Sequence, residues 1–138
     1  MSLLDEVGTY LAAQGIGTLG TNLFLGFAPD APDQVTVLYE AGGQAPIRAM
    51  GQAAGSPVAQ RPRLQVVCRD TQYEYATARS KAKSVYAILD GLCSRGDITM
   101  SGTRYMWLSA VSEPSLMGRD DAGRVLIVCN YDAIKDPS

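Results

Sequence analysis

Histidine is absent from the 138 residues, which removes the commonest near-neutral general base and a leading metal ligand together. Three cysteines, Cys68, Cys93 and Cys129, leave one unpaired in any scheme and show no CxxC spacing. Neither a disulfide framework nor a zinc knuckle is supported, and they read as buried thiols. No apolar run approaches the length of a membrane span. The N-terminus also lacks the basic start and continuous apolar core of a secretory signal. No membrane association is expected, and the chain should stay where it is made. Charge is lean at 19% against 46% hydrophobic residues, a balance that belongs to ordinary globular chains and not to disordered ones. A chain of this length needs one core, so a single domain over 1–138 is expected.

What is present is a sequence of short, well-marked segments. Ser2 and Asp5 have capping-box spacing, and Leu3, Leu4, Val7 and Leu11 follow at helical intervals, which predicts a helix over 3–13 stopped by Gly15 and Gly17. NLFLGF at 22–27 and QVTVLYE at 34–40 read as strands on either side of the APDAPD turn. Residues 41–63 carry four glycines and three prolines with little periodic apolar pattern, so they read as a long loop or arm, with a short concealed hairpin as the alternative. LQVVCR at 64–69 is a strand. Thr71 and Glu74 then repeat the capping-box spacing, and Tyr75, Ala78, Ala82, Val85, Leu89 and Leu92 line one face of a helix over 72–93. Strands at 103–111 and 124–131 close the chain, with a turn-rich EPSLMGRDDAG between them. The fold class expected is α+β: a single mainly antiparallel sheet with two helices packed on one face. The sheet's second face is too apolar for open solvent, and either a partner subunit or the 41–63 arm would cover it.

Charge is unevenly placed. Residues 1–40 hold Asp5, Glu6, Asp30, Asp33 and Glu40 with no base, whereas 41–69 hold Arg48, Arg61, Arg63 and Arg69 with no acid. These segments either meet complementary fields on neighbouring copies or neutralise each other within one subunit.

No residue set makes a convincing catalytic site. Ser80 and Ser84 with Lys81 and Lys83 lack the ordered partners of a Ser-Lys site and read as a solvated helix face. Gly15, Gly17 and Gly20 spell GxGxxG, but a helix precedes them and a strand follows, the reverse of a dinucleotide-binding turn. Asp120 with Asp121, and Asp30 with Asp33, are explained by turns and lack the rest of a calcium-ligand series. Arg48, Arg61 and Arg63 form the one candidate contact set, facing DNA phosphates or a neighbouring subunit. The expectation is a protein that is not an enzyme and needs no cofactor or metal.

Four stretches together resemble the small tail terminator, or minor capsid, proteins of long-tailed bacteriophages and prophages. They are GIGTLGTNLFLGFAPDAPDQVTVLYEAGG at 15–43, RPRLQVVCR at 61–69, YEYATARSKAKSVYAILDGL at 73–92 and SLMGRDDAGRVLIVCNYD at 115–132. The resemblance implies a structural virion protein that caps the tail tube as a homo-oligomeric, hexameric ring and joins the tail to the head. It further implies the tail tube protein and head-tail connector proteins as partners, and packaged double-stranded DNA passing through the opening with non-specific contact at most. The implied location is the virion tail, assembled in the host bacterial cytoplasm. A head-to-tail connector or completion protein is the nearest alternative; a small phosphate-ester hydrolase and a non-specific nucleic-acid binder are the others.

Overall fold

In the computed structural model, which describes residues 2–55 and 57–137, the first helix begins where the sequence caps it. Ser2 Oγ accepts from the Asp5 amide at 3.3 Å, and Asp5 Oδ2 accepts from the Ser2 amide at 3.2 Å. That reciprocal box starts α1, Leu3–Ala13. Gly15, at φ +85°, ends it. Leu3, Val7 and Leu11 form the buried stripe. Strand β1, Leu23–Leu25, lies close against α1 because Gly8 has no side chain: a Cβ there would sit 2.7 Å from Leu25 Cδ2.

The remaining elements are β2 (Val35–Ile47), β3 (Ala59–Asp70), α2 (Tyr75–Leu89), β4 (Ile98–Met100), β5 (Thr103–Ala110), β6 (Ser115–Arg119) and β7 (Val125–Lys135). The strands form one sheet in the order β1-β2-β3-β7-β5-β4. β6 pairs with the part of β7 that β5 leaves free, so β5 and β6 together line one edge of β7. All pairings but β1–β2 are antiparallel. Both helices lie on one face, where Leu38, Leu64, Val66, Ile127 and Tyr131 meet α1's stripe and the Ala78, Ala82, Val85 and Leu89 stripe of α2. The expected α+β sheet with two helices on one side is what the chain forms.

Four local expectations are corrected or refined. First, 41–63 is a hairpin and not a long loop: β2 continues to Ile47 and β3 begins at Ala59, so of its described residues only 48–55, 57 and 58 lie outside strands. Gly and Pro weaken strands in isolation, but here β3 rests on β7 out to the Gln60–Lys135 pair, and bulges absorb the misfits. Second, β1 and β2, the strands on either side of the APDAPD turn, pair in parallel, the exception in a mainly antiparallel sheet. The chain must therefore return along its own path, and the 27–34 return crosses the second face of the sheet. Arg69 anchors it by donating to the carbonyls of Pro29 (2.6 Å), Pro32 (2.8 Å) and Asp33 (3.1 Å). Val35, Val37 and Val67 share that face by register and are buried. At that corner the sheet's second face is buried within the chain itself, beside the return that Arg69 anchors.

Third, α2 starts at Tyr75, not residue 72. The Thr71–Glu74 box does not form; Glu74 is the cap residue without a side-chain cap bond, and its carboxylate accepts from Thr77 Oγ1 at 2.9 Å. Fourth, EPSLMGRDDAG contains β6, and β4 joins β5 through a two-residue turn at Ser101 (φ +49°) and Gly102 (φ +84°), the primed turn that suits strand twist.

Candidate assembly surfaces

The β2–β3 arm is built by accommodation of residues that ordinarily end a strand. Between the Ala41–Arg63 and Gln44–Arg61 pairs, three steps of β2 oppose two of β3, which is a bulge. Gly43 sits there against β3: a Cβ would run into the Arg61 carbonyl oxygen and lie 2.8 Å from Pro62 Cα. Opposite the bulge stands Pro62, which has no amide hydrogen to leave unpaired. A second shift separates Gln44–Arg61 from Ile47–Ala59. There Arg61 Nε takes up the Ala45 carbonyl at 2.7 Å, and its Nη1 donates to Gln44 Oε1 at 2.8 Å.

The three arginines singled out from the sequence thus have different situations. Arg61 staples the arm to itself. Arg63 makes a two-point bridge to Asp132 across the uncovered part of the second face, Nε to Oδ1 at 2.7 Å and Nη2 to Oδ2 at 3.3 Å. That carboxylate raises the Arg63 guanidinium above its ordinary value. Arg48, just beyond β2, is exposed and makes no hydrogen bond or ion pair among the described residues. All three line a cleft of about 580 Å³ between the arm and the start of α1, with Ser2, Leu3 and Lys135 on its other wall.

Around Arg48 the arm tip is apolar: Met50 is fully exposed, and Ile47 and Val58 are each about two-fifths exposed. A second apolar surface lies at the other end of the sheet. On β6, Leu116 and Met117 are 55% and 56% exposed. Beside them, Asp120 closes the β6–β7 turn, its Oδ1 accepting from the Ala122 and Arg124 amides and its Oδ2 from Arg124 Nε at 2.7 Å. Arg124 also bridges to Asp30 and Asp33, both at 3.4 Å. Asp121 is exposed and unpaired among the described residues.

Among the described residues, four of the nine charged side chains in the two segments of differing composition are in ion pairs, and none of those pairs joins one segment to the other. Asp30 and Asp33 are met by Arg124, and Glu6 by Lys135. The Glu6–Lys135 pair was invisible in the sequence: Lys135 Nζ stands 2.8 Å from Glu6 Oε1, the Tyr105 hydroxyl donates to the same oxygen at 2.9 Å, and all three residues are buried. It fixes the first helix to the last strand beneath the cleft. Leu116 and Met117 were also missed, since SLMGR is short, follows Pro114 and contains Gly118.

Two of the four serine and lysine side chains on α2 are engaged structurally. Ser84 Oγ donates back to the Ser80 carbonyl, and Lys81 Nζ donates to the Ile16 carbonyl at 2.8 Å, tying α2 to the turn after α1. Burial pushes the Cys68 thiol up to about 12, far from the range of a reactive thiolate. Gly15, Gly17 and Gly20 lie between a helix and a strand, as their order implied. Among the described residues no group of three or more His, Cys, Asp or Glu side chains could hold a metal ion, and no helix is long and apolar enough to cross a membrane.

No curated protein matches the chain. Two solved structures share its fold over nearly the full length. One is titled the virion of a native gene transfer agent (GTA) particle, at TM-score 0.65 and 16% identity, covering 99% of this chain and 96% of that one. The other matches at TM-score 0.50 and 18% identity, covering 97% and 92%. Identities this low establish architecture alone. The model of the bacteriophage tail terminator protein family matches residues 10–137, and with that span from α1 to the end of β7 the chain belongs to the bacteriophage tail terminator proteins.

Proposed function

We propose that the chain, working as one unit over 1–138, caps the phage tail tube as a homo-oligomeric ring, six copies by the family resemblance, and offers the surface to which the head is joined. The observation that carries this reading is the family match over 10–137. Two separate exposed apolar surfaces at opposite ends of one sheet support it further, because ring closure requires two different patches that meet repeatedly. The tail tube protein and the head-tail connector proteins are the partners on the two sides of the ring. Of Arg48, Arg61 and Arg63, the second and third are committed to Gln44, Ala45 and Asp132, so any contact with packaged DNA falls chiefly to Arg48. Sedimentation mass and electron imaging of the purified protein, alone and with isolated tail tubes, test the reading. A closed ring seated on the tube end is expected. Binding solely to the head portal, with no affinity for tubes, would transfer the chain to the head-completion class.

A further inference from the structure

The arm tip and the β6 edge have no cover in their own chain and cannot cover each other. Leu116 pairs with Ile127 at one end of β7, whereas the arm leaves the sheet beyond Lys135 at the other end. Eight residues of strand separate those points, about 27 Å, and the arm then runs further away. Exposed apolar side chains on an unpaired sheet edge are a liability unless something pairs with them.

We propose that the arm tip of one copy, through Ile47, Met50 and Val58, docks on the β6 edge of the next copy at Leu116 and Met117. The occupant is a second copy because the two surfaces match in charge as well as in polarity. The tip carries Arg48, a cation without a partner among the described residues; at the edge the one cation of β6, Arg119, is turned to the Gln72 and Gly123 carbonyls, while Asp121 is an exposed carboxylate without a partner among the described residues and fully exposed Asp30 lies close by through Arg124. Each chain has one tip and one edge, so the contact is head-to-tail and propagates around a closed ring. The arm's construction suits this use: the Gly43 approach and the Arg61 staple hold it as a stiff hairpin before it meets the neighbour, which lowers the ordering cost of docking.

The inference rests on the ring reading and names its contact. All three native cysteines are buried, so added surface thiols report cleanly. Met50→Cys and Met117→Cys variants of the full chain are mixed and oxidised with diamide, in purified protein and in assembled tails. A disulfide joining position 50 of one copy to position 117 of another is expected in the mixture, with neither variant crosslinking alone. Placing both substitutions in one chain should give a ladder of covalent oligomers. Arg48→Glu should abolish that ladder, and adding Asp121→Arg to it should restore it. A 50–50 crosslink would overturn the head-to-tail contact in favour of a two-fold one. Crosslinking of position 50 to the tube protein would make the tube the occupant. Ring-sized particles without a 50–117 bond would overturn this inference and leave the ring reading standing. Monomers in solution, together with no crosslink in tails, would overturn both.

Discussion

Replacing Lys135 with methionine should destabilise the protein severely at neutral pH and less at acid pH. Methionine keeps most of the apolar stem and withdraws the ammonium, leaving the buried Glu6 carboxylate with the Tyr105 hydroxyl at 2.9 Å and a second oxygen, Oε2, that has no hydrogen-bond partner among the described residues. Removing one member of such a pair costs about 3–5 kcal/mol, a large share of a total of about 5–15 kcal/mol. With a urea m value of about 2 kcal/mol/M, the unfolding midpoint should fall by about 2 M. Burial pushes the Glu6 carboxyl up, but the Lys135 ammonium and neighbouring hydroxyls outweigh it and hold the group below its usual range. A carboxyl depressed in the folded state stabilises above its unfolded value, and that stability is lost as pH falls through the folded value. In Lys135→Met the principal lowering partner is gone, burial dominates, and protonation of Glu6 relieves the penalty. The gap between the two proteins should therefore be widest near pH 7 and narrow below about pH 5. Urea unfolding at pH 7 and pH 4.5, followed by circular dichroism, measures it. A midpoint within about 0.3 M of the parent at pH 7, or a gap that does not change with pH, would refute the reasoning. The double variant Glu6→Leu with Lys135→Met should recover much of the loss, since no charge is then left buried alone.

Gly43→Val should open the arm and leave the body intact, because the new side chain collides with the β3 backbone at Arg61 and Pro62. Faster proteolytic cleavage within 41–63 and faster amide exchange in Gln44 and Arg61 are expected, and unchanged rates would contradict the close approach. Arg69→Met removes the donor to three carbonyls of the 27–34 return and should cost about 2–4 kcal/mol. Amide exchange should rise first in Val35 and Val37, beneath the return, and later in β7. Native protein at pH 8 should be silent to a thiol-reactive dye, given three buried cysteines and a Cys68 thiol pushed up to about 12; three equivalents should react in urea.

The parts of this fold that were legible in the sequence are those whose cause is local. Ser2 and Asp5 are three residues apart and make their box directly. The stripe from Ala78 to Leu89 repeats at helical spacing and is buried as expected. The central strands at 64–69 and 125–129 announce themselves by continuous apolar character, and each proves to be paired on both sides. What failed depended on distant partners. Thr71 and Glu74 have box spacing, but the β3 strand runs on to Asp70, whose Oδ1 takes the Thr71 amide at 2.7 Å and leaves that residue outside the helix. The parallel direction of β1 is set by where Arg69 catches the returning chain, a partner more than thirty residues away. Glu6 and Lys135 lie near opposite ends of the sequence, so no window contains both. The three arginines were legible as a basic cluster; that two of them are structural became visible only with their acceptors.

Two of the free edges of the sheet, those of β2 and β6, differ in a way that bears on how copies meet. Past Tyr39, the outer edge of β2 is interrupted by two bulges and by Pro46, which offers no amide hydrogen. Such an edge resists extension by another strand. The β6 edge has one shift, between Leu116 and Gly118, and presents Leu116 and Met117, with its one charge, Arg119, at the end of the strand. If both edges were open, copies could pair either edge with either edge, and two-fold dimers or fibres would compete with rings. Blocking the side of the arm while leaving its tip apolar favours end-on use of the arm, and in the proposed contact β6 is the edge that receives it. The glycines and prolines of 41–63, which made the segment look unstructured, build the bulges and the amide-free position that make this edge a poor template for another strand, as the proposed end-on contact requires.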